Sequence, residues 1–190
     1  YEDAESLKCQ APGVAIVNIA PGVAQPTSNR VAVVDSTGSI SHIIVSSPVS
    51  NKVAIVYTKY RDPALFQTDN DVYYIQSTNG GQDWINAGSF SGITKHNITN
   101  YTSFDFERAY SDVSAIYDYD DSLHICWNAH WFDDFTNDYS TTNAKLYHWS
   151  KATGIRRVAN GYWDGTVPGA WNRNVGKMSI SEKASNGNLY

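Results

Sequence analysis

The chain has 190 residues, 42% of them hydrophobic and only 17% charged, which excludes a charge-rich disordered polypeptide. Six Trp, thirteen Tyr and six Phe supply ample core material, while a single Met and short runs of Ala and Leu argue against a helical bundle. Nineteen Asp and Glu against fourteen Lys and Arg leave a net charge of −5, so the balance offers no basic face for nucleic acid, and no apolar run is long enough for a transmembrane helix.

Residues 1–10 are polar and acidic, without the apolar stretch of a secretory signal, as a mature secreted chain would also be. Short β-branched and aromatic runs then predict strands over 14–19, 31–34, 42–45, 53–57, 72–76, 113–117, 123–127, 145–149 and 178–181. Turn-rich stretches over 47–51, 79–81 and 118–122 separate them. No segment keeps a helical apolar period over a dozen residues, so the expected class is all-β, mainly antiparallel.

The pattern repeats. Val53-Ala54-Ile55-Val56-Tyr57, a polar aromatic loop, and Val72-Tyr73-Tyr74-Ile75-Gln76-Ser77 form one unit. Leu123-His124-Ile125-Cys126-Trp127, a second such loop, and Lys145-Leu146-Tyr147-His148-Trp149-Ser150 form another, about 70 residues on. A third copy is expected to begin near Lys177, with Asn186-Gly187-Asn188-Leu189-Tyr190 as its turn and next strand. Fewer than three copies fit, whereas radial propellers typically need about 4 to 8 four-stranded blades. The expected architecture is therefore an incomplete propeller of about two to three four-stranded antiparallel blades. Residues 1–40 would hold strands of a preceding blade, 41–110 and 111–176 one blade each, and 177–190 the start of a further one.

The turn after the first unit, Ser77-Thr78-Asn79-Gly80-Gly81-Gln82-Asp83-Trp84, fits S-x-[DN]-x-G-x-x-W and resembles the Asp-box, or BNR repeat, of sialidase-like β-propellers. The physical reading is local. Ser77 and Asn79 bond turn backbone with short polar side chains, Gly81 takes a positive φ, and Trp84 packs back beneath the turn. The second unit carries a decayed version in which Ser150 and Gly154 persist, Ala152 replaces Asn or Asp, and Arg157 replaces Trp. The resemblance implies a structural role for Ser77, Asn79, Gly81 and Trp84 at the blade periphery, remote from any central site.

It also implies what an enzyme of that family would need: three arginines for a substrate carboxylate, a Tyr nucleophile assisted by Glu, and an Asp acid/base, an exception to the usual two-carboxylate pattern. Arg30, Arg61, Arg108, Arg156, Arg157 and Arg173 are available, but Glu2, Glu5, Glu107 and Glu182 stand in no recognisable Tyr–Glu context. No catalytic residue is assigned on this basis. The long loops are the expected functional face. Tyr60, Arg61 and Asp62 in the first, and His130, Trp131, Asp133 and Asp134 in the second, occupy equivalent repeat positions on one rim. Aromatic faces beside Asp and Arg suit sugar rings, and His130 is a candidate to titrate near neutrality.

Asp118, Asp120 and Asp121 in one turn, and Asp133, Asp134 and Asp138 in a loop, match no established calcium-loop spacing, so calcium lacks support and no cofactor or metal is assigned. Cys9 and Cys126 lack a CxxC partner, which argues against zinc; Cys126 sits in an apolar run and is expected to be a buried thiol, with a Cys9–Cys126 disulfide as the alternative. Sequons Asn97-Ile98-Thr99 and Asn100-Tyr101-Thr102 have meaning only in a eukaryotic secretory pathway. The expected function is non-catalytic: binding of glycan or an extracellular protein surface, or adhesion, by a secreted or cell-surface protein. The alternatives are a fragment of a sialidase-like glycoside hydrolase and a structural subunit that assembles with further blades from the same or another chain.

Overall fold

The structure, a computed structural model, describes residues 15–17, 31–33, 35, 41–65, 68–80, 94–162, 175–183 and 188–190. Their strands are β1 (Ala15–Val17), β2 (Val31–Val33), β3 (His42–Ser46), β4 (Val53–Tyr60), β5 (Asn70–Ser77) and β6 (His96–Asn97). They continue with β7 (Glu107–Tyr117), β8 (Leu123–Asp133), β9 (Asp138–Ser150), β10 (Gly154–Tyr162), β11 (Glu182–Lys183) and β12 (Asn188–Leu189). A single 3-10 turn, Pro63–Leu65, is the one helical element among the described residues, so the chain is all-β.

Eight strands form one open antiparallel sheet in the order β10-β9-β8-β7-β5-β4-β3, with β6 also paired to β5. β1 with β2, and β11 with β12, form separate antiparallel pairs. The large sheet is continuous in name more than in substance. One rung, Asn70 opposite Ala109, joins β5 to β7, whereas β4 and β5 share eight rungs from Val53–Ser77 to Tyr60–Asn70. The sheet therefore divides into two antiparallel runs, β3 to β6 and β7 to β10.

The runs pack on each other through side chains. Ala54, Val56 and Val72 from the first meet Val113, Ala115, Ile125 and Trp127 from the second in one buried cluster. Each fully buried Val, Leu, Ile or Phe side chain contributes roughly 1.5–3 kcal/mol relative to exposure, so this seam is a principal source of stability. Both faces of β4 are covered, with Ala54, Ile55, Val56 and Tyr57 all fully buried. Its far face is tied by Asp35, which accepts hydrogen bonds from the Tyr57 hydroxyl at 2.6 Å and from Lys59 and Lys95 at 3.0 and 2.6 Å.

One contact recurs between the runs. Thr58 Oγ1 accepts from the Ser41 N–H at 3.2 Å, and Asn128 Oδ1 accepts from the Ser111 N–H at 3.1 Å. Both partners shift by the same 70 residues, and in each case the bond spans 17 positions. A short polar side chain on the second strand thus holds the first strand in both runs, just ahead of β3 in one and at the β7 bulge in the other. Asn128 does more: its amide also donates to the Val175 carbonyl at 2.9 Å, drawing the 175–177 segment against β8.

Several expectations need correction. Residues 178–180 are not strand; pairing starts where Ser181 and Tyr190 exchange backbone hydrogen bonds at 2.9 and 2.8 Å and continues through Glu182 and Lys183. β10 was not anticipated, because its residues over 154–160 are exposed and carry no apolar alternation. The long loop expected around 129–138 is mostly strand: β8 runs to Asp133 and β9 starts at Asp138. A tight turn joins them, closed by the Asn137 N–H on the Asp133 carbonyl at 2.7 Å, with Asn137 at φ 59°.

Candidate functional site

The two stretches expected to share a rim do meet, at the Arg61–Asp134 pair. Arg61 Nη1 lies 3.1 Å from Asp69 Oδ1 and 3.3 Å from Asp134 Oδ1. Arg108, completely buried, donates from Nε to the same Asp69 oxygen at 2.6 Å and approaches Asp134 at 3.6 Å. Two arginines therefore face two carboxylates. Burial alone would lower the Arg61 pKa, but the Asp69 and Asp134 charges outweigh it and raise it. Hydrogen bonding from Ser103, aided by Arg61, holds the Asp134 carboxyl below the usual range.

Arg108 also donates to the carbonyls of Asp105, Glu107 and Thr102, and lies over the rings of Tyr101 and Phe132 at 5.3 and 5.1 Å. Its donors are spent on the fold, and it is not open to a substrate carboxylate.

The other candidates are largely used in local structure. Asp62 Oδ1 accepts from the Ala64 N–H at 2.8 Å, and Asp133 Oδ1 accepts from the Phe135 N–H at 2.9 Å, each closing a turn. Tyr60 and Trp131 are half-buried. His130 is buried and stacks on Tyr110 at 4.6 Å. Its Nε2–H donates to the Thr68 carbonyl at 2.7 Å, leaving Nδ1 buried without a partner. Burial pushes its pKa down to about 4, with Arg108 adding to the effect, so titration near neutrality does not hold.

A concavity of about 370 Å³ opens beside this cluster, at the head of β7. Tyr101, Phe104, Asp105, Phe106, Glu107 and Tyr147 line it. The Tyr147 hydroxyl donates to Glu107 Oε2, and the Lys145 ammonium pairs with Glu107 Oε1. Thus Glu107, which had no Tyr partner in the sequence reading, has one across the sheet. Asp105 Oδ2 accepts from the Thr102 N–H and hydroxyl at 2.7 and 2.8 Å, which keep this carboxyl low.

Above the rim, Phe104 is 81% exposed and touches Phe135, 69% exposed, edge to face at 6.4 Å. Buried Arg108 anchors the segment that carries Phe104 and Phe106, by gripping the carbonyls of Thr102, Asp105 and Glu107. The run Phe104-Asp105-Phe106-Glu107, alternating aromatic and acidic residues, is the signal that sequence reading passed over.

The Asp-box turn is described in part. Ser77, buried at the end of β5, donates its hydroxyl to Asn79 Oδ1 at 2.9 Å, and Gly80 has φ 72° with its N–H on the Asn51 carbonyl at 2.7 Å. Gly81 and Trp84 lie outside the described residues, as do Cys9, Arg30 and Arg173. In the second unit Ser150, equally buried, accepts from the Thr153 N–H at 3.2 Å, and Gly154 has φ 65°. The two turns border a groove of about 560 Å³ floored by Tyr74, His96 and Trp149.

The acidic turn disperses its charges. Asp118 Oδ2 meets His124 Nε2 at 2.9 Å, while Asp121 pairs with Lys52 at 2.8 Å, the main reason its carboxyl falls to about 2. Cys126 is a half-buried free thiol pushed up to about 11 by burial. Asn97 donates its amide to Asp71 and to the Tyr73 oxygen, whereas Asn100 is exposed. No helix among the described residues is long and apolar enough to cross a membrane. In comparison with known proteins, no family model, no curated protein and no solved structure matches the chain.

Proposed function

We propose that the chain is a carbohydrate-binding, non-catalytic region of a secreted or cell-surface protein, with the concavity at the head of β7 as its binding surface. The observation that carries this reading is the clustering of exposed Phe104 and Phe106, with Phe135 against Phe104, at a hollow lined by Glu107 and Asp105. Aromatic faces stack on the apolar faces of sugar rings, and fixed carboxylates accept hydrogen bonds from hydroxyls. The hollow's volume lies within the range of about 300–1,000 Å³ usual for small-ligand sites.

We read the two antiparallel runs as propeller blades of Asp-box type. The recurrence of the Thr58–Ser41 contact as Asn128–Ser111, and of a buried Ser at the end of β5 and β9, supports a duplicated unit. The open sheet, ending on β10, fits a region completed by further blades from the same or another chain.

A second reading, a glycoside hydrolase fragment, is favoured by one feature: the Tyr147–Glu107 pair in the hollow. Against it, Arg61 and Arg108 are both committed to Asp69 and Asp134. The test is binding and turnover on the same preparation. Isothermal titration with neutral oligosaccharides should show saturable binding that Phe104→Ala abolishes, with no release of product from fluorogenic glycosides. Turnover lost on Tyr147→Phe would establish the second reading instead. Absence of binding to every glycan tried would sink the first.

A further inference from the structure

The hollow at the head of β7 does not end at its own rim. Tyr147 lines the hollow, and Trp149 lines the groove that borders the two turns. They are two residues apart on β9, share one face and both pack on the buried cluster. Ile155, on the wall of the hollow, is the cross-strand partner of Trp149 in the β9–β10 ladder. Side chains directly opposite on one face stand about 4.5–5.5 Å apart at Cβ. The hollow and the groove therefore abut at the Trp149–Ile155 pair.

The opposite wall is continuous as well. The segment 94–101 supplies Thr99 and Tyr101 to the hollow and Thr94 and His96 to the groove. Tyr74 stacks on His96 at 4.5 Å and meets Trp149 at 5.4 Å, so a floor of rings joins the two walls. One cleft thus runs between β9 and the 94–101 segment, from Phe104 and Phe106 at one end to Lys151 at the other. The stretch from Tyr147 to Ser150 alone is three rises of extended chain, about 10 Å.

The chemistry of the cleft selects its occupant. Two concavities of about 370 and 560 Å³, each of small-ligand size and set end to end along a strand, suit a ligand that is itself a string of small units. Aromatic rings recur along the cleft, with Gln76, Thr78 and Thr99 beside them to meet hydroxyls. Lys52 is paired with Asp121 and Lys145 with Glu107, so the walls carry no run of one sign to select a polyion. β9 is paired on both sides, to β8 and to β10, so this wall presents side chains and no free backbone edge on which a peptide could add a strand.

We infer that the cleft binds a linear, neutral oligosaccharide in extended form, with one end of the sugar chain in the hollow and the following sugars in the Tyr74–Trp149 groove. The inference rests on the glycan reading above and carries its site past the hollow. Because the floor follows a strand, an extended chain lies along it, whereas a coiled one leaves it.

The test is calorimetric titration of the full chain with the disaccharide and the hexasaccharide of the β-1,4-linked glucose and xylose series. In at least one series the hexasaccharide should bind about tenfold more tightly than the disaccharide, as further rings are covered. His96→Ala and Trp149→Ala should each weaken the hexasaccharide by about three- to tenfold, the worth of one aromatic contact, and leave the disaccharide unchanged. Phe104→Ala should weaken both lengths. His96 is exposed, so its variant keeps the readout independent of the packing of Trp149 on the core. Disaccharide binding that depends on Phe104, with no gain for the hexasaccharide, would overturn the extended cleft and leave the glycan reading standing. A length gain undiminished in His96→Ala and in a folded Trp149→Ala protein would overturn it too, since the added sugars would then lie elsewhere. Failure of both series at both lengths would overturn the extended cleft, and the glycan reading falls with it only if every other neutral oligosaccharide also fails to bind.

Discussion

Arg108 and Asp69 are joined at 2.6 Å with the guanidinium wholly out of solvent, and the bond fastens the head of β7 to the entry of β5. The chain closes the junction between its two runs with charge where apolar packing would also fit. Removing one partner strands the other, which is the expensive direction for a buried pair.

Arg108→Met should therefore cost about 3–5 kcal/mol, because Asp69 loses its shortest ionic contact and three carbonyls lose their donor. Urea unfolding read by Trp fluorescence measures this directly. A loss below about 1 kcal/mol, the scale of a surface pair, would show that Arg61 and water replace the guanidinium.

His130 makes stability depend on pH in a defined window. Its folded pKa is about 4, against about 6.5 for an unperturbed imidazole. The unfolded chain takes up a proton first as pH falls. The contribution is therefore fully present above pH 6.5 and is lost progressively as pH falls to about 4, amounting to roughly 3 kcal/mol. Denaturation midpoints measured from pH 7.5 to 4.5 should fall less steeply in His130→Gln than in the wild type. Parallel curves for the two proteins would contradict the assignment.

Phe104→Ala and Phe106→Ala should separate binding from stability. Both side chains are exposed, so their loss should change unfolding free energy by no more than about 0.5 kcal/mol. Glycan affinity should nonetheless fall tenfold or more, and comparing melting temperature with calorimetric affinity on one preparation tests the separation.

Gly154→Ala probes the turn of the second unit. An added Cβ would meet nothing within 4 Å, so the cost is that of a left-handed backbone alone, about 1–2 kcal/mol. Gly154→Asn should recover part of it, because Asn tolerates that region better. Equal stability of the Ala and Asn variants would show that the backbone has shifted.

The strands that were legible are those whose side chains are consumed by the core. Val53 to Tyr57 and Leu123 to Trp127 are dense in β-branched and aromatic residues because two runs must close on each other there. The extensions of β7, β8 and β9 were hidden by polar residues that tertiary partners satisfy. Arg108, Asn128 and His130 fall outside the strands expected from sequence, yet each is buried and bonded across the sheet. β10 was invisible for the opposite reason: Arg156 and Arg157 sit on an exposed edge with no apolar rhythm.

The meeting of Arg61 and Asp134 followed from their equivalent places in the repeat, which a sequence can display. The Tyr147–Glu107 and His124–His148 contacts depend on register between strands, set by bulges at Ala109–Val113 and Ala129–Trp131. Such shifts come from three-dimensional packing and leave no periodic mark.

The lone rung between Asn70 and Ala109 has a mechanical meaning. A single antiparallel rung holds at most two hydrogen bonds, each worth about 0.5–1.5 kcal/mol net, whereas the apolar seam beside it is non-directional. Load applied across this boundary would tear the rung early and leave the two leaves held by the apolar seam and by side-chain ties such as Arg108–Asp69, Arg61–Asp134, His130–Thr68 and Lys52–Asp121. Within each leaf, force must shear whole ladders. Two stiff plates thus meet with little shared backbone, and any change of angle between them strains side-chain ties rather than a ladder.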